Sequence, residues 1–122
     1  MADTINAMTQ RDVDLAWLAG IFEGEGWVSF HYGSPKHGSF WEAGLKMTDE
    51  DVVRRFHRLI GIGQFHGPYS AKPKLDGTPS KLCWTWHIGT REHLLNFCSL
   101  LAPMMGERRA AKMNDCLADL VP

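Results

Sequence analysis

Two carboxylates, Glu23 and Glu25, alternate with Gly24 and Gly26 at the end of a helix-forming run. Acids there face the negative end of the helix macrodipole, an unfavourable place unless something positive binds. A divalent cation, which takes hard carboxylate oxygens, would relieve both. Glu25 taken alone has a plainer reading as a solvated acid at a helix end, so its chemistry depends on its surroundings. Gly20 and Gly24 lie inside the same run, and each costs about 1 kcal/mol relative to alanine, which calls for a packing or a site reason. At about 100° per residue, Trp17, Gly20, Ile21 and Gly24 form one stripe, and Leu15, Leu18, Ala19 and Phe22 the opposite one. This helix has two faces to bury. One covers its own sheet. The other, with small residues one turn apart, permits backbone-close contact with a second helix, which a symmetric dimer supplies.

The elements that must position these residues follow from periodicity. Asp12 to Phe22 is predicted helical, with Asp12 or Asp14 as N-cap and Gly24 and Gly26 closing it. Residues 27–32 alternate, with Val28, Phe30 and Tyr32 on one side and Trp27, Ser29 and His31 on the other. After the loop GSPKHGS, a second strand sets Trp41, Ala43, Leu45 and Met47 against Phe40, Glu42, Gly44 and Lys46. Thr48 followed by Asp49, Glu50 and Asp51 reads as a helix start, and that helix runs to Gly61, with Arg54, Arg55 and Arg58 on a solvated face. Residues 62–69 and 82–88 read as another hairpin. Thr90 caps a third helix ending at Ala102, and ERRAAKMNDCLADL forms a last one. The expectation is an α+β fold of order α-β-β-α-β-β-α-α: a four-stranded antiparallel sheet, helices on one face, the other face open.

The 122 residues, 44% hydrophobic and 22% charged, suit one folded domain over 1–122 with its core in 12–113. Cys83, Cys98 and Cys116 are odd in number and form no C-x-x-C pair, so they are expected reduced and packed. The six histidines show no paired ligand spacing. No apolar run spans a bilayer and the first residues have no secretory pattern, so no membrane partner and an intracellular location are expected. The net charge of −1 excludes binding of nucleic acid by bulk charge. Its distribution is uneven, however: residues 26–48 and 62–90 carry +3 and the remainder −4. Positive charge thus collects on the sheet and its loops.

LAGIFEGEG, Leu18 to Gly26, resembles the nine-residue signature of the LAGLIDADG homing endonucleases, with Ile21, Phe22, Glu23, Gly24 and Glu25 as conservative variants. The family's α-β-β-α-β-β-α order is the one read above, and KMTDEDVVRRFHRLIGIG with the W-T-W strand are similar to its second helix and later hairpin. The resemblance implies a homodimer joined through Trp17, Gly20, Ile21 and Gly24, with Glu25 holding a catalytic Mg2+ or Mn2+ and Gly24 adding a backbone carbonyl. It also implies a polar residue after the second strand, for which Asp49 or Lys46 is nearest. Where many relatives carry glutamine, this chain has Thr48 and Asp49. Arg108 and Arg109 stand where relatives place a lysine; a guanidinium is too basic for a general base, so the role implied is electrostatic. The open face would read a double-stranded DNA target through Ser29, His31, Glu42, Lys46, Gln64, His66, Thr85 and His87, with Cys83 beside them and Lys36, Lys72, Lys74 and Lys81 at the rim.

Two functions fit this pattern. One is a metal-dependent, site-specific double-strand DNA endonuclease of a mobile intron or intein, acting in cytoplasm or nucleoid. The other is a non-cleaving relative, a DNA-binding regulator or an intron maturase whose partner is RNA. A small ligand-binding domain without nucleic acid is opposed by the loop lysines.

Overall fold

A capping box starts the first helix. In the computed structural model, which describes residues 7–70, 75–78 and 81–122, Thr9 Oγ1 accepts the Asp12 N–H at 3.1 Å and Asp12 Oδ2 accepts the Thr9 N–H at 3.1 Å. The bonds to Thr9, that from its backbone N–H foremost, hold the Asp12 carboxyl below the usual carboxylate range. Helix α1 (Gln10–Glu25) therefore begins before Asp12, which reciprocates the cap from the N3 position instead of forming it.

The remaining elements are β1 (Gly26–His31), β2 (Phe40–Met47), α2 (Glu50–Ile60), β3 (Gln64–Ser70), β4 (Leu82–Ile88), α3 (Arg91–Leu101), a 3₁₀ turn at Ala102–Met104 and α4 (Glu107–Leu120). This is the expected order. Asp49 is the N-cap of α2, yet its side chain makes no capping bond, which leaves the carboxylate available. Gly61, at φ 76°, ends α2 in the left-handed conformation that glycine adopts without strain.

The four strands pair antiparallel in the order β1-β2-β4-β3. Two hairpins are thus joined through β2 and β4, which places Leu45 opposite Trp86 and Ala43 opposite Ile88. The helices cover the face that carries Val28, Trp41, Ala43, Leu45, Trp86 and Ile88, all buried. Phe22 of α1 is the hub of this core: its ring lies 4.8 Å from Phe97, 6.3 Å from Phe56 and 6.5 Å from Trp86. The indole N–H groups are satisfied, Trp86 donating to the Ile62 carbonyl at 2.8 Å and Trp41 to the Asp119 carboxylate at 2.7 Å.

All three cysteines are buried and unpaired. Cys98 and Cys116 meet between α3 and α4, where the hydrogen bond with Cys116 and then burial push the Cys98 thiol up. Two arginines of α2 are not solvated as expected. The Arg54 guanidinium sits 4.5 Å from the Phe65 ring centroid and that of Arg55 4.1 Å from Trp17, so their stems and planes cover aromatic surface. Among the described residues no helix is long and apolar enough to cross a membrane.

Candidate functional site

The end of α1 sends its two acids to different places. Glu23 turns toward the loop before α4: its Oε1 accepts the Gly106 N–H at 3.3 Å and its Oε2 lies 3.4 Å from Arg109 Nε. A Cβ at position 106 would meet Glu23 Oε1 at 2.6 Å, so the missing side chain of Gly106 permits the approach. Arg109 also donates from Nη2 to the Glu23 carbonyl at 3.2 Å and from Nη1 to the Gly26 carbonyl. This guanidinium, with 18% of its side chain exposed, thereby supplies positive charge and donors to the carbonyl end of α1. Two expectations are corrected here. Glu23 is relieved by an arginine rather than by a metal ion, and Arg109 is committed to holding α1, which removes it from the catalytic candidates.

Glu25 points elsewhere. It is exposed and lines a concavity of about 420 Å³ together with Lys46, Met47, Thr48, Asp49 and Cys83. The end of α1, the end of β2 and the start of α2 converge there. The two polar candidates after the second strand, Lys46 and Asp49, therefore share one concavity with Glu25. Arg108 is exposed and lines a second concavity of about 440 Å³, at β1, with Gly26, Trp27, Arg109, Lys112 and Asp115. Lys112 was not anticipated. It falls one helical turn after Arg108, and that spacing was the available signal.

On the open face the register assembles the expected residues. Lys46, Thr85 and His66 form one row across β2, β4 and β3, and Trp27, Gly44, His87 and Gln64 form the next across all four strands. Ser29 opposes Glu42 beyond them. His31 Nε2 lies 2.8 Å from Glu42 Oε1 and has no other partner among the described residues. Cys83 departs from expectation. It is only 5% exposed, its thiol lying 3.7 Å from the Tyr69 carbonyl, so it lies below the reading surface.

Trp27 is the residue that sequence reasoning overlooked on this face. Its indole spreads over Gly44, where any Cβ would come within 2.8 Å of the ring and 2.6 Å of the Trp86 carbonyl. The clue was a tryptophan alternating with polar residues opposite a glycine. Lys36 and Lys81 are exposed beside β2 and β4. Lys72 and Lys74 lie outside the described residues.

The glycine stripe of α1 faces outward. Gly20 and Gly24 are exposed, and a Cβ on either would meet no described atom within 4 Å. Trp17 and Ile21 are half-buried and partly spent on the core. Val13, at 45% exposure, and Ala16 extend the stripe toward the N-terminus. Among the described residues no three His, Cys, Asp or Glu side chains cluster as a metal site, so Glu25 has no complete ligand set within one chain.

No model of a known protein family matches the chain, and no curated protein sequence matches it. Solved structures do. The homing endonuclease I-CvuI, in complex with its target, superposes with a TM-score of 0.70 at 15% identity, covering 90% of this chain and 67% of that one. I-CeuI, a group I intron-encoded homing endonuclease complexed with DNA, gives 0.68 at 14% identity over 93% of this chain and 56% of that one. The LAGLIDADG homing endonuclease I-GzeII, in complex with its DNA target, gives 0.65 at 14% over 93% and 36%. The chain thus has the fold of LAGLIDADG homing endonucleases, and it spans between about one third and two thirds of the length of these three.

Proposed function

We propose that the chain is a LAGLIDADG homing endonuclease of the single-motif type, one unit over residues 1–122 that acts as a homodimer and cuts both strands of a specific DNA site. The observation that carries this reading is the pairing of two features on α1. Its outward stripe holds two glycines with no contact of their own, and the adjacent Glu25 is an acid with only half a site. A second copy packed through Gly20 and Gly24 removes both deficits, because it gives the glycines a backbone to approach and brings a second Glu25 to the dyad.

The donor set fits a hard divalent ion, Mg2+ or Mn2+, in that dimer: carboxylate oxygens of Glu25 and the Gly24 carbonyl hold it. When bound, such an ion activates water and stabilises the leaving oxygen in phosphodiester cleavage. The chain's own contributions are separable. Lys46 neutralises phosphate and offsets the two acids of the concavity. Asp49, whose carboxylate caps nothing, accepts a hydrogen bond from the attacking water. Arg108 and Lys112 place positive charge on the opposite side of the α1 terminus and stabilise the charge that develops on the scissile phosphate. The open face, rimmed by Lys36 and Lys81, lies against the duplex.

The test incubates the protein and Glu25→Gln with a library of duplex sites in magnesium, manganese, calcium or chelator, scoring binding and staggered breaks separately. The wild type is expected to cut in magnesium or manganese and the variant to bind without cutting. Full cutting by the variant overturns the assignment of Glu25. Sequence-specific binding by the wild type with no cutting in any metal replaces the endonuclease by the regulator or, for RNA, the maturase.

A further inference from the structure

Gln64 and His66 project from β3 onto the open face, where Gln64 Oε1 lies 3.0 Å from His66 Nε2. An amide oxygen can only accept, so His66 Nε2 carries the hydrogen and donates it. The His66 ring is itself held, stacked on His87 with centroids 5.2 Å apart and planes 21° from parallel. His87 is in turn the cross-strand partner of Gln64. Three side chains thus fix one another, and beside His87 on β2 stands Gly44, which has no side chain to compete for the amide.

This arrangement limits what Gln64 can recognise. Glutamine reads adenine by a bidentate contact, its oxygen taking the N6 amino hydrogen and its nitrogen donating to N7. That contact needs the amide to rotate into the plane of the base, and a carbonyl tied to a stacked imidazole does not rotate without losing its hydrogen bond. Gln64 is left to present its amino hydrogens. The base edge with two adjacent acceptors in the major groove, N7 and O6, is that of guanine. Resting on the reading of the open face as a DNA surface, we infer that Gln64 is a specificity-determining residue and His66 its positioning residue. Together they select guanine over adenine at the position Gln64 reaches.

Binding-site selection from a randomised duplex library, in chelator so that no cutting intervenes, tests this. The wild type is expected to enrich guanine at one position of each half-site. Gln64→Ala should flatten that position. His66→Ala releases the amide and should move the preference there from guanine to adenine, by roughly tenfold in relative enrichment, with the other positions unchanged. His66→Phe keeps a ring to stack on His87 but cannot donate, so it should switch in the same direction while preserving the local packing. Guanine retained in both His66 variants, or adenine already preferred by the wild type, overturns the inference. Equal loss of enrichment at every position in both variants assigns His66 a structural role and overturns it too. A wild type that enriches no sequence at all overturns the DNA reading itself, and this inference with it.

Discussion

The two flanks of the last turns of α1 are built for different purposes. On the inner flank Glu23 is held by the Gly106 N–H and Arg109, and Arg109 in turn closes the carbonyls of Glu23 and Gly26. On the outer flank Gly20 and Gly24 touch nothing among the described residues, and Glu25 opens into a concavity with Lys46 and Asp49. Two acids two residues apart on one helix thus differ in everything except type. The inner one has its charge and hydrogen bonds matched within the chain and contributes to folding. The outer one is unmatched, which is what a group that acts on something outside the chain requires.

Substitutions should divide the same way. The largest effect is expected from Glu25→Gln, which should reduce cleavage by about 10² to 10³ or more, as loss of one fixed electrostatic group does, while the melting temperature stays put. A drop in melting temperature with cleavage retained would place Glu25 on the structural side. Arg109→Ala should show the opposite behaviour. Losing charge-assisted bonds to two carbonyls and a carboxylate, mostly out of solvent, costs about 2–3 kcal/mol. Calorimetry should then read a fall of roughly 10 °C. An unchanged melting temperature would return Arg109 to the list of groups free to act.

Gly20→Leu sharpens the outer flank. In the monomer the side chain has open space and replaces glycine in a helix, so thermal stability should rise by a few tenths of a kcal/mol. Between copies it keeps the backbones apart at about 1–3 kcal/mol, which sedimentation should register as a roughly ten- to hundredfold weaker dimer. A dimer as tight as the wild type would move the interface off this helix. The smallest effect belongs to Glu23→Gln, which keeps an acceptor for the Gly106 N–H and loses only a partly exposed ion pair. Less than about 1 kcal/mol is expected by denaturant titration, and a larger loss would mean that charge, not hydrogen bonding, holds this flank.

Alternation along β2 and β4, and the acidic start of α2, stood in the sequence because hydrophobic period and capping chemistry are local properties. The same is true of the stripe of Gly20 and Gly24, whose shared face follows from helical geometry alone. The true N-cap, Thr9, was missed because Asp12 is as good a cap by type, and only the reciprocal bonds between the two decide which is which.

The sequence by itself determined the elements, the open face and the acid that ends α1. It could not distinguish Glu23 from Glu25, nor Arg108 from Arg109, since neighbours of one type differ only in what lies across from them. That was decided by the packing of α4 against the end of α1, which brings residues 83 and 86 positions apart into hydrogen-bond range. The same holds for Cys83 beneath the open face, for Trp27 over Gly44, and for the tie between Gln64 and His66. Each is fixed by register or by contact across the sheet surface, and such contacts form only once the hydrophobic core has set the elements in place.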